Sequence, residues 1–154
     1  MRLRKYQASD YREAYELFYN TVHSVNLRDY SQQQVDAWAP QDIDIESWGA
    51  PRLQHYAIVA EEDGILIGFG DIDDTGYLDM LYVHKDYQGM GVATMMLDDL
   101  EKHARDNSVA AVTTHASITL KPALEKRGYA VVKEQTVERN GQMLANFCMV
   151  KKLY

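Results

Sequence analysis

Residues 78–105 constrain this chain more than any other stretch. An apolar run, Leu78–Val83, ends in a polar turn, passes through Gln88-Gly89-Met90-Gly91-Val92-Ala93 and opens directly into an amphipathic helix. A strand that enters a helix through glycines makes a place for an anion. The first helical N–H groups have no intrahelical partner, and the helix dipole adds about half a positive charge there. Glycines at 89 and 91 let a phosphate reach the backbone with no side chain in the way. The segment is not a P-loop, because no Gly-Lys-Ser/Thr follows the glycines. It is not a dinucleotide fingerprint either, because the third glycine is missing and the run does not open the chain. A phosphorylated cofactor is the ligand it suits.

The remainder of the chain can support such a site. A length of 154 residues predicts one domain, with 46% hydrophobic and 25% charged residues, ordinary for a globular protein. No run approaches the ~20 apolar residues of a membrane span, and Met1–Tyr6 lacks the apolar core of a signal peptide. Cys148 is the single cysteine, which excludes an intrachain disulfide and suits a reducing cytoplasm. The five histidines show no paired metal spacing, so no metal is expected. A net charge of −7 disfavours nucleic acid and anionic membranes as partners and favours a cationic substrate.

Periodicity and breakers predict a first strand at Leu3–Tyr6. A helix capped by Ser9 or Asp10 then runs to about Ser24, and a second, Gln32–Trp38, begins at Ser31 and stops before Pro40. Residues 40–52 read as a loop with one turn around Ile45–Trp48. Strands follow at Tyr56–Glu61, Ile65–Asp73 and Tyr77–Val83, then a helix Gly91–Arg105, a strand Val109–His115 and a helix ending at Arg127 before Gly128. Tyr129–Val137 and Leu144–Val150 form a hairpin about Asn140-Gly141. The order β-α-α-β-β-β-α-β-α-β-β implies an α/β (α+β) mixed sheet with helices on both faces.

Two motifs in register with that order give the chain a resemblance. Gln88-x-x-Gly91-x-Ala93 matches Gln/Arg-x-x-Gly-x-Gly/Ala, the pyrophosphate signature of the GNAT superfamily of acetyl-CoA-dependent N-acetyltransferases. It lies between the fourth strand and third helix, where that superfamily keeps it. Ser117–Tyr129, ending Leu-Glu-Lys-Arg-Gly-Tyr, stands where the superfamily often has Asn-x-x-Ala-x-x-Phe-Tyr-x-x-x-Gly-Phe. The tail Asn146–Leu153 and the stretch Tyr30–Pro40 are similar to a bacterial branch of the same superfamily, so the resemblance spans nearly the whole chain.

The resemblance implies a mixed, mostly antiparallel sheet and transfer of an acetyl group from acetyl-CoA to a primary amine of a small molecule or peptide. It also allows a homodimer. Backbone N–H groups of Gln88, Gly89, Met90, Gly91, Val92 and Ala93 would bind the pyrophosphate, and Leu81, Tyr82 and Val83 would pair with the pantetheine arm. Ser117 would take the place of a cofactor-contacting asparagine. His23, Tyr30 and Trp38, on helices that line the superfamily's acceptor pocket, would meet the amine, with Tyr77 beside them. The superfamily's frequent tyrosine acid falls at Leu124, which cannot protonate a thiolate, and Ala123 replaces a bulky aromatic.

Asp79 interrupts the apolar strand Tyr77–Val83, and a mid-strand carboxylate needs a partner or a wet cleft. It is the candidate base, directly or through water, and shares a face with Tyr77 by the two-residue period. His115 at a strand end is a second acid–base candidate. Asp71 and Asp73, alternating on the preceding strand, read as solvated. Two other readings stay open: a non-catalytic acyl-CoA sensor of the same fold, for which Leu124 is the main support, and transfer of a different acyl group.

Overall fold

The computed structural model describes residues Met1–Tyr154. Seven strands form one sheet in the order β1-β2-β3-β4-β5-β7-β6. They are β1 (Arg2–Lys5), β2 (Tyr56–Glu62), β3 (Ile65–Ile72), β4 (Tyr77–Val83), β5 (Ala111–Ser117), β6 (Ala130–Arg139) and β7 (Gln142–Lys152). Every neighbouring pair is antiparallel except β4 and β5. The helices are α1 (Tyr11–Val22), α2 (Gln32–Trp38), α3 (Ile45–Gly49), α4 (Val92–Asp106) and α5 (Lys121–Lys126). The expected turn around Ile45–Trp48 is thus a short helix, capped by Asp44, whose Oδ1 accepts from the Glu46 and Ser47 N–H groups. None of these helices is long and apolar enough to cross a membrane.

Two cores hold the layers together. On one face α4 places Val92, Met96, Leu97 and Leu100 against Ile58, Ile67 and Leu78 of the sheet, with Leu124 and Tyr129 beside them. On the other, Ala14, Leu17 and Phe18 of α1 and Val35 of α2 cover Val59, Phe69 and Leu144. Each buried side chain of this size contributes roughly 1.5–3 kcal/mol. Gly68 and Gly70 let α4 approach β3 closely. A Cβ on Gly68 would stand 2.9 Å from Met96 Cε, and one on Gly70 3.3 Å from Leu100 Cδ1. That close packing fixes where the N-terminus of α4 emerges.

Local chemistry explains the remaining boundaries. Ser31 Oγ accepts from the Gln34 N–H while Gln34 Oε1 accepts from the Ser31 N–H, a reciprocal cap that starts α2. Asp10, an expected cap of α1, instead pairs with Arg4 at 2.8 Å and accepts from the Gln7 N–H. The fifth strand begins at Ala111 rather than Val109 because the C-terminus of α4 uses the intervening residues. Ser108 turns left-handed and the Val109 N–H donates to Ala104. Asn140 and Gly141 have φ of 47° and 86°, the conformation a two-residue hairpin turn needs.

Candidate active site

Helix α4 begins at Gly91, whose φ of 84° only glycine adopts readily; Gly89 has φ 73°. A Cβ at either would meet no protein atom within 4 Å, so both face open space. The backbone N–H groups from Gln88 to Thr94 donate to no protein acceptor. The Gln88 side chain folds back, its Nε2 donating to the Val83 carbonyl at 2.8 Å, and ties this loop to the end of β4. The result is a cradle of unpaired donors at a helix N-terminus, one residue longer than the motif implies. These are the donors a pyrophosphate requires.

The cradle opens into a cavity of about 650 Å³ that runs between β4 and β5. Those strands pair only at Tyr77–Thr113 and Leu78–Thr114, and Thr114 Oγ1 donates to the Leu78 carbonyl at 2.7 Å at the point where they part. Beyond it, residues 79–83 have β3 on one side and the cavity on the other. Their free edge is the one an extended ligand arm can pair with.

Asp79 stands at the fork. Register against β3 jumps from Ile72–Leu78 to Asp71–Met80, which makes Asp79 the extra residue of a β-bulge. The bulge resets the alternation, so Leu78 and Leu81 reach the same core although three residues apart. The two-residue period used to pair Tyr77 with Asp79 therefore does not hold here, although both line the cavity. Asp79 is exposed, and the hydrogen bonds beside it are made by Asp71 and leave its own carboxylate free.

Its neighbours are a correction to the sequence reading. Asp71, expected to be solvated, is 0% exposed. Its Oδ1 accepts from the Met80 N–H at 2.9 Å, the amide freed by the bulge, and its Oδ2 lies 2.7 Å from His55 Nδ1. Burial pushes the Asp71 carboxyl above its ordinary range; His55 opposes this and the nearby Asp79 charge adds to it. One atom each of His55, Asp71 and Asp79 lies within 4.8 Å of the others. Both Asp71 oxygens are engaged in the protein, so the group reads as a locked bulge carrying a free carboxylate. The signal for Asp71 was present in the sequence. It alternates with Phe69 on the buried side of an apolar strand. His55, just ahead of β2, is brought beside Asp71 by the register of the β2–β3 hairpin and left no such sign.

The other expected residues separate into two groups. Leu81, Tyr82, Val83, Gln88, Gly89, Gly91, Val92, Ala93 and Ser117 line the cavity, as do Tyr30, Trp38, Tyr77 and His115. Met90 does not; its side chain is 57% exposed outside it. His23 is also absent from the wall, since its Nε2 lies 2.8 Å from the Ala39 carbonyl and its ring stacks on Tyr19. Ser117 Oγ accepts from the Leu120 N–H, and His115 packs edge-on to Tyr77 at 5.4 Å. Tyr30 is clamped, donating to the Ala145 carbonyl and accepting from the Ile118 N–H. Burial raises the hydroxyls of Tyr15 (to about 12), Tyr30, Tyr77 and Tyr82, so each is neutral near pH 7 and none serves there as a base. Leu124 is 0% exposed in the α4-side core, and the α5 residue at the cavity is Ala123. Phe18, Trp48, Arg28 and Arg139 complete the wall without having been expected there.

Known proteins resemble this chain in sequence and fold. Residues 26–152 match the family model described as an acetyltransferase (GNAT) domain. The chain is 34% identical over 149 residues to the uncharacterized N-acetyltransferase YafP of Escherichia coli (strain K12), covering 97% of this chain and 94% of that one. A crystal structure of a GCN5-related N-acetyltransferase from Rhodopseudomonas palustris superposes with a TM-score of 0.95 at 34% identity, covering 99% and 95% of the two chains. The fold is also that of PaiA N-acetyltransferase from Thermoplasma acidophilum, solved with coenzyme A, at TM-score 0.77, 18% identity and 98% of each chain. The same holds for yncA of Salmonella typhimurium, a putative acetyltransferase solved with acetyl-CoA (TM-score 0.74, 19% identity, 100% and 94% covered). With a family match over most of its length and a relative of this identity, the chain belongs to the GNAT family of acetyl-CoA-dependent N-acetyltransferases.

Proposed function

We propose that the protein transfers the acetyl group of acetyl-CoA to a primary amine of a small molecule or peptide by direct attack within a ternary complex. The observation that carries this reading is one continuous cavity, with the free N–H groups of residues 88–94 at one end and the unpartnered Asp79 carboxylate further along. The cradle suits the pyrophosphate, and the free edge of β4 suits the pantetheine arm. The PaiA and yncA structures, which hold coenzyme A and acetyl-CoA, support that assignment.

An ammonium has no lone pair, so the amine must lose a proton before or during attack on the thioester carbonyl. Asp79 takes that proton, directly or through water, and its exposure to the cavity is what such a base needs. His115 is the second acid–base group on the wall. Amide groups splayed where β4 and β5 part would polarise the carbonyl oxygen. The C–N bond forms, the C–S bond breaks and the electron pair leaves on sulfur. No side chain at position 124 protonates the thiolate, whose moderate basicity lets it depart as the anion. Holding both substrates in line supplies much of the rate.

Asp79→Asn keeps the shape and removes the basic lone pair, so kcat should fall by about 10²–10⁴. The assay is CoA release with a panel of amines across a pH profile. Full activity at every pH in the folded variant would make the carboxylate structural and His115 the base. CoA binding without release by any amine would favour a non-catalytic sensor instead.

A further inference from the structure

The charge on the cavity wall runs against that of the chain. The protein carries −7, yet among the residues lining the cavity Asp79 is the single carboxylate, against the guanidinium groups of Arg28 and Arg139. Arg28 belongs to the cofactor end. It also lines a shallow cleft next to the cradle with Lys85, Asp86 and Gln88, where Lys85 is paired with Asp86 and Arg28 has no ion pair. Arg139 belongs to the other end, as the last residue of β6, and the acetyl-CoA site gives it no task.

Arg139 has no acidic partner, a trait it shares with Arg12, Arg28 and Arg52. Arg2, Arg4, Arg105 and Arg127 all form ion pairs. Arg139 makes one hydrogen bond, from Nη1 to the neighbouring Glu138 carbonyl at 3.0 Å, and forms no ion pair. Its backbone is nonetheless held in place. The hairpin that carries it is fastened to α2 and to Tyr30 by side-chain hydrogen bonds to backbone carbonyls. They run from Asn140 Nδ2 to Ala37 (2.7 Å), Gln34 Nε2 to Met143 (2.8 Å) and Tyr30 Oη to Ala145 (2.6 Å). The Tyr77 hydroxyl, raised first by burial, feels both the Asp79 carboxylate and the Arg139 guanidinium, so the two charges share one end of the cavity.

We propose that the acceptor is a primary amine that also bears an anionic group, a carboxylate in the simplest case, with Arg139 binding the anion and Asp79 receiving the amine. The inference rests on the acetyl-transfer reading and narrows its substrate class. A guanidinium presents a planar fork of donors that matches a carboxylate in a two-point contact. A polyamine or an uncharged amine would leave that fork unpaired or face repulsion from it. The expectation from net charge, a purely cationic substrate, is replaced by a zwitterionic one whose two ends meet opposite charges.

The test uses matched acceptors: ω-amino carboxylates from glycine to 6-aminohexanoate and their carboxamides, with acetylated product and CoA quantified by chromatography. For the best-fitting length, kcat/KM for the carboxylate should exceed that for the amide by about 10- to 100-fold, as expected for a charge-assisted pair. Arg139→Gln should bring that ratio near one by raising KM for the carboxylate, with the KM for acetyl-CoA unchanged, and Arg139→Lys should restore part of it. Because Arg139 is exposed, the melting temperature reports directly that the variants remain folded. Amides used as well as carboxylates at every length, or a preference that survives Arg139→Gln, would overturn the substrate class while leaving acetyl transfer intact. Acetylation of no amine at all would remove both.

Discussion

If Asp71 locks the bulge that presents Asp79, its removal should damage stability and turnover together. In Asp71→Ala the Met80 N–H loses its acceptor inside the protein, and His55 loses its partner. An unsatisfied buried N–H costs about 1–3 kcal/mol. His55 keeps about a quarter of its side chain exposed and can turn to water, so it adds little. For a chain of this size each kcal/mol lowers Tm by about 2–4 °C, which puts the expected fall at roughly 2–12 °C. Asp71→Asn is the control. Its carbonyl oxygen can still accept from Met80, and it carries no charge to bury, so its Tm should stay within about 2 °C. The sign with pH follows from the raised carboxyl. The folded state binds that proton more tightly than the unfolded chain, so the charge costs stability as pH rises from the ordinary value of 3.8 through the folded one. The stability of Asp71→Asn relative to wild type should therefore be least favourable at low pH and improve as pH rises. Calorimetric melting of both variants at several pH values, with kcat alongside, checks this. An Asp71→Ala protein that melts within a degree of wild type and keeps its kcat would show that the carboxylate does not hold the bulge.

Three further outcomes follow from the same geometry. Gly91→Val should weaken acetyl-CoA binding, measured by titration calorimetry, and should also cost about 1–2 kcal/mol. A Cβ there meets no atom, but φ is +84° and a branched residue is strained in that conformation. Glu101 is 1% exposed, and hydrogen bonds from Arg127, Lys151 and Tyr129 outweigh burial and hold its carboxyl below the ordinary 4.5. It stabilises the fold above that pH and loses the contribution as pH falls through the lowered value. Acid unfolding should therefore shift upward in Glu101→Gln, with a loss of about 2–4 kcal/mol. That lies slightly below a fully buried pair because Arg127 and Lys151 stay 19% exposed. Leu124→Tyr should gain no activity and lose about 1–3 kcal/mol from overpacking, seen as a lower Tm, because position 124 lies inside the core.

Regular periodicity made the elements readable. Strand Tyr77–Val83 and helix α2 match their sequence boundaries, and Asn140-Gly141 makes the expected turn. The cradle of free N–H groups was legible because glycines mark where backbone must be bare. The other half of the cavity was harder to read. A bulge is one extra residue in a ladder, and the register that defines it comes from pairing β4 with β3, so alternation counted along β4 alone misplaced Asp79 relative to its neighbours. Asp71 looked solvated because acids usually are, and its two partners, Met80 and His55, are supplied by different strands and turns. Arg139 was hidden in a polar hairpin whose position over the cavity depends on three hydrogen bonds to residues more than a hundred positions away or on another layer. His23 shows the converse. A polar aromatic on the right helix was assigned to the acceptor, and the fold uses it to bridge α1 to Ala39.

If the unpaired N–H groups of Gln88 to Thr94 hold the pyrophosphate of the acetyl donor, their amide resonances should move when it binds. Backbone amide resonances followed by ¹H–¹⁵N NMR while coenzyme A is titrated into the full chain test this most directly. The expected result is saturable shifts that are largest at residues 88–94, with smaller ones along Leu81–Val83, and their loss in Gly91→Val. Saturable binding that leaves the 88–94 amides unmoved while shifting others would contradict it.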